Sequence, residues 1–191
     1  MTVTEKVDPI AEAIADAADW TATEPAPESE GAVRTRDLVI INYSGDLEKT
    51  WASMILATTA AASGVNTKVF LTFWGLQTFI KDEKRITGRN WMQKMLSFMQ
   101  RPGISHRKLS KMNFMGMGPW MMGVLAKQYN VASPKELLEA AMAMGVEFVP
   151  CQMTMDMFGL TREDMIDGLG EPVGAATVID LLNQGASSLF I

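Results

Sequence analysis

Asp37-Leu38-Val39-Ile40-Ile41-Asn42-Tyr43, followed by Ser44-Gly45-Asp46, is the stretch from which the fold is read. A run this rich in β-branched residues, without polar alternation, has the character of a central parallel strand buried on both faces. Ser44-Gly45-Asp46 then forms a tight turn with Asp46 as the expected N-cap, and Leu47 to Ser63 carries alanine and long apolar side chains at helical spacing. Gly64 closes that helix, and Asn66-Thr67-Lys68-Val69-Phe70-Leu71-Thr72-Phe73 reads as a second strand. Strand, helix and strand in this order make a βαβ unit, which crosses over right-handedly.

The same rhythm continues toward the carboxyl terminus. Trp74 to Lys111 is irregular, with short helices expected near Leu76 to Lys81 and Trp91 to Met99. A methionine-rich loop from Met112 leads into a helix that runs to about Tyr129. Ser133-Pro134-Lys135-Glu136 is a strong helix start, with serine at the N-cap, proline at N1 and glutamate at N3. Gly145 ends that helix before the apolar strand Val146-Glu147-Phe148-Val149-Pro150. A short helix capped by Thr161, a helix from Pro172 or Val173 to Asn183, and a terminal strand Ser187 to Ile191 complete the pattern. The expectation is an α/β, Rossmann-like (flavodoxin-like) open sheet of mainly parallel strands, four of them principal, with helices on both faces. Residues 37–191 form this single domain, and the acidic, proline-bearing residues 1–36 read as a flexible tail with a short helix after Asp8-Pro9.

Composition removes several classes of function. A net charge of −5 over 191 residues argues against general nucleic-acid binding, which needs a broad basic face. The basic side chains are nonetheless uneven: Lys81, Lys84, Arg85, Arg89, Lys94, Arg101, Arg107, Lys108 and Lys111 share their segment with just Asp82 and Glu83. That run reads either as a solvated insertion or as a docking surface for an acidic partner. The longest uncharged stretch suited to a membrane, Met112 onward, is short and broken by Gly116, Gly118 and Pro119, so no membrane partner is expected. A single cysteine excludes an intrachain disulfide, a C-x-x-C redox pair and a cysteine-rich zinc site, and suits a reducing cytoplasm. No cofactor and no metal are expected. The turn after the first strand has the frame of a nucleotide site, but neither glycine-rich fingerprint is present.

The cysteine itself falls in Pro150-Cys151-Gln152-Met153-Thr154-Met155-Asp156-Met157-Phe158-Gly159-Leu160, where the strand ends and the next helix begins. In an open parallel sheet that junction lies at the carboxyl edge, where ligands bind. Cys151 is therefore the candidate catalytic residue. The candidates for lining its site are Gln152, Met153, Met155 and Asp156 on the following helix, Ser44 and Gly45 at the first strand's end, and Met115 and Met117, whose methionine-rich stretch reads as a collar around the thiol, a subunit interface or plain core packing. A Cys-His pair would have to use His106, the single histidine, and nothing in the spacing brings it to Cys151.

Five separated stretches, in order, carry a family resemblance. They are Leu38 to Lys49, Phe70 to Leu76, Lys108 to Asn113, Cys151 to Leu160, and the Leu189-Phe190-Ile191 end. Together they resemble the DsrE/DsrF/DsrH-like sulfur-relay family, in the larger peroxiredoxin-labelled subgroup associated with TusA-type sulfur carriers. The resemblance implies a Rossmann-like domain in a homo-oligomer, a trimer or hexamer. It also implies that Cys151 holds a persulfide or thiosulfonate and exchanges it with a TusA-like sulfur carrier protein in the cytoplasm. Gly168-Leu169-Gly170-Glu171-Pro172-Val173-Gly174 departs from the family's usual pattern. The competing expectations are a peroxide-reactive or redox-sensing thiol protein and a non-catalytic oligomeric binding protein in which Cys151 is inert.

Overall fold

The computed structural model describes residues 37–83, 91, 95, 102–111 and 113–191. The expected helix after Asp8-Pro9, most of the expected helix from Trp91 to Met99, and Lys84, Arg85, Arg89, Lys94 and Arg101 of the basic run lie outside them.

Four strands form one sheet in the order β3-β2-β1-β4: β1 is Asp37–Asn42, β2 Asn66–Leu71, β3 Glu147–Pro150 and β4 Ser187–Phe190. Every pairing is parallel, with Ile40 opposite both Val69 and Leu189, and Val69 opposite Phe148. The helices are α1 (Leu47–Ala62), α2 (Phe73–Leu76), α3 (Met117–Gln128), α4 (Pro134–Ala143), α5 (Gln152–Phe158) and α6 (Ala175–Asn183). α1 buries Thr50, Ser53, Met54, Ala57 and Thr58, the i, i+3, i+4, i+7, i+8 stripe of an amphipathic helix. The Ser133 capping box of α4 forms as read, its hydroxyl accepting from the Glu136 N–H and its own N–H donating to the Glu136 carboxylate at 2.7 Å.

Successive strand residues point to opposite faces, and the two faces are filled unequally. Ile40, Val69, Leu71 and Phe148 project into the main core with Met54 and Ala57 of α1, Leu138 and Ala141 of α4, and Met155 and Phe158 of α5. Val39 and Phe70 project the other way and meet Val178 of α6.

Local details depart from expectation for identifiable reasons. The helix expected near Leu76 to Lys81 begins earlier, at Phe73, and runs through a 3-10 turn to Phe79. Ile80 is drawn out of it into an antiparallel bridge with Met165. The helix expected from Pro172 or Val173 starts at Ala175, because Val173 is committed to backbone pairing with Cys151. Asp46 stands at the N-cap of α1 without capping it; its carboxylate instead accepts from the Ser44 hydroxyl at 3.0 Å and from Lys49 at 2.8 Å. Gly45 is required by proximity, since an added Cβ would lie 2.5 Å from the Trp74 carbonyl oxygen.

Candidate functional site

Cys151 directly follows β3, an edge strand of the sheet, and serves as N-cap residue of α5. Its N–H donates to the Leu71 carbonyl at 2.8 Å and its carbonyl accepts from the Met155 N–H at 3.0 Å, so the backbone is held by β2 on one side and by its own helix on the other. The outer edge of β3 is closed by residues 170–173. Gly170 donates to the Phe148 carbonyl at 2.8 Å, Val173 donates to the Pro150 carbonyl at 2.9 Å, and Gln152 donates to the Val173 carbonyl at 3.0 Å. This strap covers an edge that would otherwise present unpaired backbone groups. It also consumes the first N–H of α5, a helix of seven residues, so the helix terminus is not an open row of donors.

The thiol is 2% exposed and packs with Val39, Phe70 and Val178, with Val173 against the same cluster. It therefore lies on the α6 side of the sheet. The expected methionine collar is not what surrounds it. Met155 is buried in the core on the opposite side, Met153 is exposed, and Met115 and Met117 sit exposed at the start of α3. The reason is rotational: α5 turns Met155 and Phe158 into the main core, while Cys151, one residue before the helix, faces the other way. Gln152 and Asp156 are joined to each other, Gln152 Nε2 donating to the Asp156 carboxylate at 2.8 Å, on the exposed face of α5. Ser44 and Gly45 lie in the turn after β1, two strands from β3, roughly 10 Å away at about 4.8 Å per strand.

Two features at the carboxyl edge of the sheet carry no strong signal in the sequence. Thr154 is buried, its hydroxyl accepting from the Phe73 N–H at 3.2 Å and lying 3.2 Å from that of Thr72. This pair fixes the turn after β2, where Phe73 adopts φ 45°, a left-handed conformation unusual for an aromatic residue. Around the same sheet edge Tyr43 lies 5.6 Å from Phe73 and 5.8 Å from Phe190, ring centre to ring centre.

The remaining candidates are placed elsewhere. His106 approaches Asp82 at 3.7 Å, in the 3-10 turn Ile104–His106. Arg107 is buried beneath the β1–α1 turn and donates to the Gly103 carbonyl at 3.0 Å. Burial lowers its pKa to about 10, against the opposing pull of Asp82 and Asp46, and it stays cationic at neutral pH. The α1 terminus, where a phosphate would sit in a nucleotide site, has its Leu47 N–H engaged by the Lys108 carbonyl at 2.9 Å. Among the described residues no group of three or more His, Cys, Asp or Glu side chains is placed to hold a metal ion. Nor, among them, is any helix long and apolar enough to cross a membrane.

The model of the DsrE/DsrF/DrsH-like family matches residues 34–190. The uncharacterized protein YrkE of Bacillus subtilis is 36% identical over 158 residues, which are 83% of this chain and 98% of YrkE. The sulfur carrier protein DsrE2 of Allochromatium vinosum is 33% identical over 159 residues, 82% of this chain and 98% of DsrE2. Among solved structures, the ychN protein from E. coli superposes with a TM-score of 0.50 at 15% identity, over 82% of this chain and 99% of that one, a likeness of fold.

Proposed function

The chain belongs to the DsrE/DsrF/DrsH-like family, and from that premise we propose that it is a cytoplasmic sulfur carrier. Cys151 holds a persulfide or thiosulfonate and exchanges it with a TusA-like sulfur carrier protein. The observation that carries this reading is the position of the chain's one cysteine, on the turn from β3 to α5 at the carboxyl edge of a parallel sheet. The 33% identity to a protein named as a sulfur carrier supports it. A thiol without a second cysteine to resolve a disulfide is better suited to pass sulfur on than to cycle alone.

Loading conserves electrons. The Cys151 thiolate attacks a sulfane sulfur of the donor; an Sγ–S bond forms as the donor's S–S bond breaks, and the electron pair leaves with the donor fragment. With tetrathionate the leaving group is thiosulfate. In unloading, the partner's thiolate attacks the sulfane sulfur bonded to Cys151 Sγ, the Sγ–S bond breaks, and Cys151 departs as the thiolate. Because Cys151 is 2% exposed, both steps need its cover to open.

The proposal extends to a homo-oligomer, trimeric or hexameric. β4 is a sheet edge exposed along its whole length, with Phe190 among its exposed residues, and Trp120, Met121 and Val124 lie exposed along α3. Light scattering on the purified chain checks the assembly. The chemistry is tested by intact mass spectrometry after incubation with polysulfide or tetrathionate: a reductant-labile sulfur adduct is expected on the wild type and absent from Cys151→Ser. An adduct that survives in the variant would overturn the assignment.

A further inference from the structure

α3 is an apolar helix that the rest of the domain leaves largely uncovered. Of Met117–Gln128, Gly118 alone is buried, and Lys127 is the one charged side chain. Helices that are apolar all round are ordinarily enclosed, and two apolar stripes run along α3, each at i, i+3, i+4, i+7 spacing. Met122, Leu125, Ala126 and Tyr129 line a groove of about 430 Å³, whose opposite wall is Trp51, Ala52 and Ile55 of α1. Met117, Trp120, Met121 and Val124, 45–67% exposed, form the other stripe. The offset of five residues between the two, at about 100° per residue, turns the second stripe about 140° away from the groove. One end of the groove is fixed: the Trp51 indole N–H donates to the Ala132 carbonyl at 2.9 Å and ties the chain beyond α3 back to α1.

We infer that the exposed stripe of α3 docks in the α1–α3 groove of a second copy of this chain, head to tail; the inference rests on the homo-oligomer reading above and not on the sulfur chemistry. Both surfaces are apolar, and their single charges are opposite. Lys127 lies seven residues from Trp120, about 20° away around the helix, and Glu48 is the one charged residue that lines the groove. Trp120, 67% exposed, is the kind of aromatic anchor that fills a neighbour's pocket. At about 150–250 Å² for a whole large side chain, the exposed parts of the stripe and of Ile55, Leu125, Tyr129 and Val131 in the groove come to the order of 800 Å². With an apolar share of roughly 57–65%, that corresponds to an interface of about 1,200–1,400 Å² in all, inside the range of about 1,200–2,000 Å² for stable ones.

Stripe and groove are different patches, so the contact is heterologous. Each copy gives its stripe to one neighbour and receives the stripe of another in its groove, and such a contact closes into a ring when its rotation divides the circle. Pairing stripe against stripe would leave both grooves unfilled. It would also bring two Lys127 side chains, and no carboxylate of the groove, into one interface, where like charges count against the pairing.

The test is sedimentation velocity on the full chain, comparing wild type with Trp120→Glu, which places a charge in the stripe, and Ile55→Glu, which places one in the groove; circular dichroism checks folding. Each variant alone is expected to sediment as a smaller species than wild type. Mixed in equal amounts they should form a species larger than either alone, because the stripe intact in Ile55→Glu meets the groove intact in Trp120→Glu. Should Ile55→Glu fail to fold, Tyr129→Glu in the same groove takes its place. A variant that keeps the wild-type mass, or a mixture no larger than its components, overturns this inference while the homo-oligomer reading stands. Wild type that sediments as a single chain overturns both, and its capture by phosphatidylglycerol vesicles would then give the stripe to a lipid surface.

Discussion

Val173 lies beside Cys151 as its parallel bridge partner, with its N–H bound to the residue before the cysteine and its carbonyl to the residue after it. The strap that seals the sheet edge and the cover over the thiol are thus one piece of backbone. If Cys151 carries sulfur as proposed, residues 170–174 and α6 are the cover that has to open.

Val173→Ala should raise the rate at which iodoacetamide alkylates native Cys151. The loss of contact is about 1 kcal/mol; placed on the opening that uncovers the thiol, it corresponds to roughly a fivefold acceleration. An unchanged rate in a variant that is nonetheless globally less stable would show that the strap does not control access.

Thr154→Val keeps the shape of the side chain and removes the acceptor for the Phe73 N–H. A buried group left without its partner costs about 1–3 kcal/mol, which should appear as a lower urea midpoint with an unchanged slope. Full retention of stability would mean that water or another group takes the Phe73 N–H.

Gly75 and Gly123 should respond to alanine with opposite signs. A Cβ at Gly75 would lie 2.2 Å from the Asn42 carbonyl oxygen, backbone that cannot yield cheaply, whereas Gly123, within α3, meets nothing within 4 Å. Gly75→Ala is expected to abolish stable folding, and Gly123→Ala to stabilise by about 1 kcal/mol through helix propensity. Thermal melts of the two variants decide it.

The α4 cap has a pH signature. Ser133→Ala should cost about 1 kcal/mol. The Ser133 N–H, and secondarily its hydroxyl, hold the Glu136 carboxyl below its ordinary value of 4.5. This contribution is complete above the unfolded pKa and is lost as pH falls through the lower folded pKa. Wild type should therefore lose more stability than Glu136→Gln across that acid interval; parallel curves would remove the assignment.

The β1–α1–β2 unit is legible in the sequence because burial on both faces demands an unbroken β-branched run and a central glycine turn. The α4 start is legible because a capping box is a purely local device. The surroundings of Cys151 are not. Val39, Phe70, Val173 and Val178 reach the thiol from four separate parts of the chain, through strand order and the rotation of α6, neither of which leaves a local pattern. The methionines mislead for a similar reason, since their number near Cys151 says nothing about which way α5 turns them. Asp46 takes the N-cap position as read, but its carboxylate is engaged by Ser44 and Lys49 and does not cap the helix. Gly168 to Gly174, a departure from the family pattern, contains Val173, the bridge partner of the cysteine.

The unequal filling of the two sides of the sheet has a consequence for how the protein breathes. Among the described residues, seventeen buried apolar side chains form the cluster on one side and four, Cys151 among them, the cluster on the other. Excursions that lift α6 give up little apolar contact and leave the larger side intact, so they lie at the low-energy end of the opening spectrum. Cys151 thus lies on the side of the sheet that gives up less buried apolar packing when it opens.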